Sequence, residues 1–389
     1  RIESDEREKV LELIDTLKKD YSCSGVIQLL DDYKRYYPKN SLASSVIGFT
    51  GSDDQGLEGI EYEYDSYLSG TPGRIITAQN ARGTDMPFRY EQNVESEDGN
   101  NVYLTIDETI QSICEKYMQK GVEDNNVLNK GVCIAMDVNT GAILAMVTTD
   151  GYDLNNPYEL SAKDKKKIKS TPKKKQAEAE SAALSNMWRN KAVADTYMPG
   201  SVFKMCVASA ALEENLVNEK TSFTCTGSIS VEGETIHCSN ISGHGTQNFV
   251  EAISNSCNPA FLDIAMKVGK EKIIEAARKL HMEEKVDIGL EEENFDLIPQ
   301  NISIRNLAIG QGSMEFTPIQ VNQMTQIIAN NGTYKPLYLY DSILDSNKNI
   351  IKTFKNTKSE DIISPYSISK VKELMKNVSK EGTGKELND

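Results

Sequence analysis

The N-terminal part of the chain changes from a regular to an irregular pattern of hydrophobic and polar positions. Residues 5–20 carry apolar side chains at helical spacing, which predicts an amphipathic helix with an apolar face made by Val10, Leu11, Ile14 and Leu17. Residues 25–85 are rich in Gly, Tyr and Asp and favour irregular αβ structure with many turns. The polar stretch QNVESEDGNN then suits a linker, so we predict a domain boundary between residues 1–97 and 98–389.

The pattern becomes regular again after Asn100. The segment VYLTID alternates as a strand does, and ETIQSICEKYMQKGVED continues as a helix. Two apolar strands follow around Asn139-Thr140-Gly141, which predicts a β-hairpin with Gly141 at a position of positive φ. Both strands are almost entirely apolar, so we expect them to be covered on both faces.

Helical patterns dominate the remainder of the chain. Residues 201–215 are mostly apolar and predict a buried helix, and residues 249–268 and 270–280 predict two more helices. Residues 336–354 predict another hairpin, which turns at residues 346–349.

Composition and charge narrow the class of protein. A length of 389 residues fits two domains or one large domain, and 39% hydrophobic with 26% charged residues is typical of a globular protein with a real core. The formal net charge is −15, which argues against nucleic acid as a partner because phosphate binding needs a basic surface. The sequence contains no stretch of 18 or more apolar residues, so it predicts no membrane span in these residues.

The segment YMPGSVFK, residues 197–204, carries candidate chemistry. Pro199 and Gly200 end the preceding chain, so Ser201 is expected at a helix N-terminus, where backbone N–H groups favour a developing negative charge. Lys204 lies three residues on and shares a helix face with Ser201. A lysine can take the serine proton if burial lowers its pKa. The S-x-x-K spacing alone is weak evidence, because it also occurs at Ser170…Lys173 and Ser367…Lys370 in polar contexts.

A second motif, Ser256-Cys257-Asn258, introduces an apolar helical segment. One interpretation is an ordinary helix cap. The other is a Ser/Asn pair that faces Ser201, with a hydroxyl that relays a proton with Lys204 and an amide that holds the substrate. The motifs S-x-x-K, S-x-N and K-[ST]-G together are the signature of acyl-serine enzymes, which include penicillin-binding proteins and serine β-lactamases.

Longer matches extend this signature. DTYMPGSVFK resembles the nucleophile segment of class B penicillin-binding proteins, in which Y-x-P-G-S-x-F-K recurs. AMDVNTGAILAMV resembles their hairpin before the active site, and VYLTIDETIQ resembles the strand and helix that open their transpeptidase domain. GQGSMEFTPIQ is similar to their G-Q-G…T-P-x-Q helix start, and RYYPKNSLASSVIGFTGSDDQGLEGIEYEYDSYLSGTPG is similar to their pedestal motif. These matches keep the family's order over roughly residues 28–384.

The resemblance implies an α+β fold in two parts. Residues 1–97 would form an N-terminal pedestal, which is a dimerisation-like domain. Residues 98–389 would form a penicillin-binding transpeptidase domain, with an antiparallel sheet flanked by helices and Ser201 at the base of a cleft.

The resemblance also implies a reaction. Ser201 would attack the penultimate carbonyl of a peptidoglycan stem peptide ending in D-Ala-D-Ala and release the last D-Ala. The acyl group would then pass to an amine on a neighbouring stem peptide, and β-lactams would acylate Ser201 as mimics of the donor. Lys204, Ser256 and Asn258 complete the implied catalytic set, which needs no cofactor. The backbone N–H of Ser201 would be one oxyanion donor.

Partners and location follow from the same resemblance. We expect a glycosyltransferase and other divisome or elongasome proteins as partners, and a location at the cell membrane with the catalytic domain extracellular. A single-pass N-terminal anchor would precede the residues given. The pedestal and the cysteine pattern favour the sporulation or elongation transpeptidases of spore-forming Firmicutes. The alternatives are a β-lactamase or β-lactam-sensing domain, which would lack the pedestal, and a non-catalytic wall scaffold, against which the intact motifs argue.

The K-[ST]-G motif does not occur in these residues. Gly382-Thr383-Gly384 is not our candidate for it, because in the family a segment like EGTGK precedes the K-[ST]-G strand. We therefore expect the third motif, which would align the substrate and supply a second oxyanion donor, to lie outside the residues given.

Cysteine and histidine crowd the segment between the two motifs, at Cys225, His237, Cys238, His244 and Cys257. A hairpin in GSISVEGETI would bring its flanking residues Cys225 and Cys238 together. Thiolates and imidazoles are good zinc ligands, so we predict a structural zinc site of Cys225, Cys238 and His244, with Cys257 or His237 as the fourth ligand. The alternatives are a Cys225–Cys238 disulfide, unlinked thiols, and a His244 that only satisfies backbone carbonyls. The remaining cysteines include three expected in the core: Cys114, Cys133 and Cys206.

One segment is strongly basic although the chain as a whole is acidic. Residues 163–175, KDKKKIKSTPKKK, contain eight lysines and are followed by QAEAESAA. The simpler interpretation is a solvated loop and helix. The alternative is a surface that contacts an anionic wall polymer or lipid headgroups.

Overall fold

A computed structural model describes residues 4–21, 33–76, 92–291, 293–354 and 358–388, together with Ile2, Ile27 and Leu29. Cys23 and residues 77–85, the last part of the segment predicted to be irregular, lie outside the described residues. Within the described part of the chain, no helix is both long enough and apolar enough to span a bilayer.

The first part of the chain is mostly short helices. The predicted N-terminal helix is confirmed as α1, and the described residues 33–76 contain many turns and irregular stretches, as predicted. The elements up to the predicted boundary are α1 (Ser4–Tyr21), α2 (Ser44–Ile47), α3 (Gly59–Glu63), α4 (Asp65–Leu68), β1 (Arg74–Ile76) and β2 (Gln92–Val94). Strands β1 and β2 pair antiparallel, so the polar stretch predicted as a linker begins inside a strand.

The second part of the chain mixes helices with antiparallel ladders, as expected for an α+β fold. Its helices are α5 (Glu108–Asp124), α6 (Ala162–Ser170), α7 (Gln176–Trp188), α8 (Lys191–Ala194), α9 (Lys204–Glu213), α10 (Phe249–Ser254), α11 (Asn258–Val268), α12 (Lys270–Lys279), α13 (Ile304–Ile309), α14 (Pro318–Ala329) and α15 (Pro365–Glu381). Its strands are β3 (Asn101–Leu104), β4 (Val132–Met136), β5 (Ile143–Thr148), β6 (Ser222–Cys225), β7 (Ser228–Val231), β8 (Glu234–His237), β9 (Gly245–Asn248), β10 (Thr333–Tyr334), β11 (Tyr340–Leu344), β12 (Ile350–Thr353) and β13 (Glu360–Asp361).

Strand pairing confirms the three hairpins that turn chemistry predicted. Strands β4 and β5 pair across Gly141, whose φ is 84°. Strands β7 and β8 pair across Glu232-Gly233, and β11 pairs with β12 and, on its other edge, with β3. The expected coverage of the first hairpin is wrong for one strand: β5 is largely buried, but every position of β4 is only half-buried. An apolar sequence therefore did not fix how much of each strand the neighbouring helices cover.

The predicted helix over residues 249–268 is in fact two helices. The chain leaves helical geometry after α10 and re-enters it at Asn258, with Ser256 at a φ of 48° between them. Pro259 stands in the first turn of α11, where its fixed φ is accepted, but it could not continue α10 because it lacks an N–H. Cys257, not Ser256, is the N-cap residue, so the helix-cap interpretation of Ser256 does not hold.

The main core surrounds α9, which packs against α11, α12 and α15. Because helices cover it on several sides, α9 is apolar around most of its circumference, as its sequence predicted. Phe203 and Phe316 stack at the start of this helix with ring centroids 6.0 Å apart. Burying each such ring contributes roughly 2–3 kcal/mol. Of the three cysteines expected in the core, Cys206 is buried, but Cys114 and Cys133 are only half-buried.

Polar contacts join the first part of the chain to the second. The backbone N–H of Tyr37 donates to Asn155 Oδ1 at 3.0 Å, and Asn155 Nδ2 donates to the Tyr37 carbonyl at 2.9 Å. The backbone N–H of Ala43 donates to Glu115 Oε1 on α5 at 2.7 Å. These contacts hold residues 37–43 against α5 and the loop that follows β5.

Candidate active site

Ser201 lies in a 3₁₀ turn, Gly200–Phe203, that leads directly into α9. The sequence predicted Ser201 at the helix N-terminus itself; in the structure one tight turn precedes the α-helix. Backbone bonds hold this turn in place: the Gly200 N–H donates to the Gly310 carbonyl at 2.8 Å, and Tyr197 exchanges two bonds of 2.9 Å with Phe316.

The G-Q-G segment explains why glycine is required beside the nucleophile turn. Gly310 ends α13 in the left-handed region with a φ of 68°. A Cβ at this position would lie 2.1 Å from the Gly200 carbonyl oxygen. The close approach of the two backbones therefore needs a residue without a side chain.

Lys204 is the buried base candidate of the site. It is the first residue of α9 and is 5% exposed. Its Nζ donates to the Ser256 carbonyl at 2.9 Å, to Ser256 Oγ at 3.1 Å and to Asn258 Oδ1 at 2.7 Å. It also lies 5.2 Å from the centre of the Phe261 ring. Burial lowers the pKa of Lys204 to about 8, which puts its neutral form within reach at physiological pH.

Ser256 connects Lys204 to Ser201. Its hydroxyl lies 3.1 Å from Ser201 Oγ and 3.1 Å from Lys204 Nζ. This position depends on the positive φ of Ser256, a conformation that costs about 1 kcal/mol or more in a residue with a side chain. Asn258 Nδ2 donates to the His237 carbonyl at 2.9 Å, which orients the amide. We call Ser201, Lys204, Ser256 and Asn258 the polar quartet.

A cavity of about 260 Å³ is lined by three members of the polar quartet, Ser201, Lys204 and Ser256. Its walls are mainly apolar and come from α9, α10, α11 and α15, with Phe261, Met375 and Val378 among them. Thr383 also lines the cavity, and its backbone N–H donates to the Ser254 carbonyl at 3.1 Å. Sequence reasoning missed these lining residues. The apolar face of α15 was a signal for burial, but nothing in it pointed to this cavity.

The other two S-x-x-K matches lack such an environment. Ser170 is exposed at the end of α6, and the Lys370 side chain pairs with Glu219 and Glu373. Burial therefore distinguishes Lys204 from the lysines of equal spacing.

The four predicted metal-ligating residues Cys225, Cys238, His244 and Cys257 come together beside the polar quartet. Their ligand atoms all lie within 4.8 Å of one another. Cys238 Sγ is 3.5 Å from His244 Nδ1 and 4.0 Å from Cys257 Sγ. His237, the alternative fourth ligand, is outside this group. We call the four residues the Cys/His cluster.

Tight backbone crossings assemble this cluster. Cys225 ends β6 and faces Gly245 of β9, while the Cys238 N–H donates to the Gly227 carbonyl at 2.8 Å. Gly243 has a φ of 84°, and a Cβ on it would lie 2.3 Å from the Cys225 carbonyl oxygen. All six described cysteines are free thiols, so the predicted alternative of a Cys225–Cys238 disulfide is not what the structure contains.

The thiols of the cluster differ in acidity. Burial alone would raise the pKa of Cys225, but hydrogen bonds from the backbone N–H groups of His244 and Gly227 lower it to about 6. Burial raises the pKa of Cys257 to about 12. A cation bound here would have to displace a proton from Cys257, whereas Cys225 offers a thiolate already.

Family comparisons agree with this geometry. Residues 131–388 match the penicillin binding protein transpeptidase domain, and residues 7–104 match the penicillin-binding protein dimerisation domain. The chain belongs to the penicillin-binding protein transpeptidase family, in the class B arrangement of a dimerisation domain followed by a transpeptidase domain.

Two curated relatives match most of this chain. Stage V sporulation protein D of Bacillus subtilis is 30% identical over 366 residues, which cover 92% of this chain and 53% of that protein. Peptidoglycan D,D-transpeptidase FtsI of Escherichia coli K12 is 27% identical over 319 residues, which cover 80% of this chain and 49% of that protein. The chain thus spans about half the length of the curated relatives it matches.

Solved structures share the fold. The apo crystal structure of penicillin binding protein 3 from Mycobacterium tuberculosis superposes with a TM-score of 0.71 at 25% identity, covering 90% of this chain and 70% of that one. The same protein has been solved in complex with aztreonam and with ampicillin.

Proposed function

We propose that the protein is a serine-type peptidoglycan D,D-transpeptidase in which Ser201 forms an acyl-enzyme from stem peptides ending in D-Ala-D-Ala. One observation carries this proposal: a continuous hydrogen-bonded path from buried Lys204 through Ser256 to Ser201. The names of the relatives support the substrate class, since one of them is a peptidoglycan D,D-transpeptidase. β-Lactams are the expected covalent inhibitors, in line with the antibiotic complexes of the structural relative.

The proton path defines the roles of the quartet. Neutral Lys204 accepts a proton that the Ser201 hydroxyl gives up through the Ser256 hydroxyl, while Ser201 Oγ bonds to the substrate carbonyl carbon. The carbonyl oxygen becomes an oxyanion, which the Ser201 backbone N–H stabilises. The proton then passes from Lys204 to the leaving D-Ala nitrogen as the C–N bond breaks. An amine of a second stem peptide attacks the ester in the reverse sequence, which restores the Ser201 hydroxyl.

Asn258 has a positioning role and a binding role in this scheme. Its Oδ1 accepts from Lys204, and one N–H of its amide is held by the His237 carbonyl. The second N–H of the amide remains for a substrate carbonyl, because an amide nitrogen carries two donors. The apolar walls of the cavity would cover the alanine methyl groups of the donor.

Intact-protein mass spectrometry of the full-length protein with a penicillin tests this proposal. We expect one adduct, on Ser201, that hydrolyses slowly. Rapid loss of the adduct with turnover of penicillin would indicate a β-lactamase instead, and the absence of an adduct in folded protein would indicate a non-catalytic wall scaffold.

The setting of the enzyme is part of the proposal. We assign residues 1–97 to a pedestal domain and residues 98–389 to the transpeptidase domain. We further propose a single-pass membrane anchor, an extracellular catalytic domain, and a glycosyltransferase among its divisome or elongasome partners. We also propose a role in sporulation or elongation, and similarity to stage V sporulation protein D supports the first of these. Fractionation of cells and labelling of intact cells with a penicillin that does not cross membranes would test the location.

We also propose that the Cys/His cluster holds a structural zinc ion through Cys225, Cys238, His244 and Cys257. The donor set fits: three thiols and one imidazole are a common tetrahedral zinc set, and Zn–S bonds of about 2.3 Å bring sulfurs to roughly 3.8 Å apart. The Cys238–Cys257 sulfur separation of 4.0 Å is close to this value. The ion would stabilise the segment between the motifs and is not assigned to the reaction. Metal analysis and native mass spectrometry would test it, with an added mass that disappears on denaturation.

A further inference from the structure

The helices α6 and α7 form a hairpin on the surface of an otherwise acidic chain. Helix α6, the 3₁₀ turn Lys173–Lys175 and α7 make up this unit, which we call the lysine hairpin. None of its residues is buried. Helix α6 packs mainly on α7, and α7 joins the body through Met187 and Trp188 at its end. The hairpin therefore stands out from the core.

The charge of this unit is concentrated and largely uncompensated. Eight lysines fall within residues 163–175 with one aspartate, in a chain of net charge −15. All eight lysines are exposed. Among the described residues, Lys165 alone of the eight has a carboxylate partner, Glu159. For the other seven lysines, no carboxylate partner among the described residues offsets the repulsion between neighbouring ammonium groups, and this points to an external anion.

The arrangement of the lysines selects the kind of anion. Lys163 and Lys167 share one side of α6, and Lys165 and Lys169 lie about 200° further round, on the opposite side. The three consecutive lysines of the 3₁₀ turn diverge further, at about three residues per turn. A planar surface could reach only one of these sides, whereas a flexible chain can follow several.

We propose that the lysine hairpin binds a flexible linear polyanion with a repeating phosphodiester backbone, as an anionic cell-wall polymer would present. This inference relies on the proposed function in one respect, the location of the domain at the wall. Lysine ammonium groups suit such a ligand because they act as point charges without the planar pairing geometry of arginine.

Two other occupants fit less well. A membrane would engage one stripe of lysines and usually an apolar face as well, but no large hydrophobic side chain of the hairpin is exposed. An acidic face of a second copy would be rigid and would again meet one side of α6 only. Both are retained as outcomes of the experiment.

The test measures binding of the full-length protein to fluorescent poly(glycerol phosphate) over a range of NaCl concentrations. The hairpin variant combines Lys163→Gln, Lys167→Gln, Lys173→Gln and Lys175→Gln. A matched control removes four exposed lysines elsewhere: Lys9→Gln, Lys18→Gln, Lys116→Gln and Lys120→Gln. We expect the hairpin variant to lose affinity by about tenfold or more and the control by less than about twofold, with binding that weakens as salt rises.

Each contrary result has a definite meaning. Equal losses in the two variants, or no polymer binding by the unaltered protein, would overturn the proposal. Tighter hairpin-dependent binding to phosphatidylglycerol vesicles would replace the polymer by a membrane surface, and hairpin-dependent self-association in sedimentation would replace it by a second copy. Penicillin labelling of Ser201 in the same samples separates this outcome from failure of the proposed function, because the lysine hairpin contributes no residue to the cavity.

Discussion

The polar quartet and the Cys/His cluster share one segment, Ser256-Cys257-Asn258. They differ in how closely their polar atoms meet in the folded chain. In the polar quartet, Lys204 Nζ has three oxygen acceptors between 2.7 and 3.1 Å. In the Cys/His cluster the nearest contacts of Cys238 Sγ are 3.5 and 4.0 Å long. The quartet is held together by short hydrogen bonds, whereas the side chains of the cluster meet at longer distances, which leave room for the proposed ion.

The difference shows how one loop can contribute residues to two neighbouring sites. Ser256, at positive φ, has its hydroxyl 3.1 Å from Ser201 Oγ, while Cys257 is the N-cap residue of α11 and has its sulfur 4.0 Å from Cys238 Sγ. Order in the cluster therefore bears on the geometry of the quartet through consecutive residues. Changes to the quartet should abolish chemistry and spare the fold, and changes to the cluster should do the reverse.

The largest expected effect is from Ser201→Ala. We predict that penicillin acylation falls by at least about 10⁴-fold while the melting temperature is unchanged, because the hydroxyl is the nucleophile and sits in an open cavity. Mass spectrometry and thermal denaturation measure the two. The control is Ser209→Ala on α9, the helix that follows the nucleophile turn; the Ser209 hydroxyl donates to the Met205 carbonyl at 2.8 Å. An adduct of normal mass on the Ser201→Ala protein would contradict the assignment.

Replacing the base should have the next largest effect. Lys204→Met is predicted to slow acylation by about 10²–10⁴-fold. Lys204→Arg should fail as well, because a guanidinium does not lose its proton. Stopped-flow acylation rates would measure this, with the exposed Lys279→Met as control. A normal acylation rate in Lys204→Arg would show that Lys204 does not accept the proton of Ser201.

The pH dependence sharpens the same assignment. Because the pKa of Lys204 is lowered to about 8, the neutral fraction grows about tenfold per pH unit below that value. We therefore expect the acylation rate to rise with pH and to level off above about pH 8. A rate that is flat or falls between about pH 6 and 8 would show that neutral Lys204 is not the base.

Changes in the Cys/His cluster should act on stability first. Cys225→Ser is predicted to lower bound zinc and to reduce the melting temperature by about 5 °C or more, since a structural ion contributes folding free energy. Chelation of the unaltered protein should do the same. Cys114→Ser, at a half-buried thiol outside the cluster, is the matched control. If neither the chelator nor Cys225→Ser changes the melting temperature, the cluster consists of unlinked thiols and the zinc proposal is wrong.

The smallest expected effect concerns the backbone that supports the quartet. Gly310→Ala should cost about 1–3 kcal/mol and slow acylation by roughly tenfold, because a Cβ there would lie 2.1 Å from the Gly200 carbonyl oxygen. Gly121→Ala on α5, where no atom lies within 4 Å of the new Cβ, should instead stabilise by about 1 kcal/mol. Urea denaturation and acylation rates would separate the two. Equal stabilities and acylation rates in the two variants would show that the nucleophile turn can shift to accommodate the new Cβ.

Much of the local structure could be predicted because its causes are local. The hairpin at Gly141 and the hairpin at Glu232-Gly233 follow from residues that accept a positive φ, and α1 and α9 follow from the spacing of apolar residues. The order of motifs around Ser201 and Ser256 was enough to identify the family.

Other features needed the tertiary structure. The half-burial of β4 depends on what covers it, and its sequence fits a covered strand and a half-covered strand equally well. The break between α10 and α11 had a local signal in Pro259, but the contacts of Ser256 with Ser201 and Lys204 arise only in the tertiary structure.

The sequence by itself determined which residues are candidates for the chemistry, because residue types and the order of the motifs can be read without a fold. Only the tertiary structure decided which lysine is buried enough to lose its proton, and that Cys257 rather than His237 joins the cluster. The physical reason is the same in both cases. Burial and contacts of a few ångströms form between residues that are far apart in the sequence, and no local pattern encodes them. Lys204 and Ser256, for example, are more than 50 residues apart.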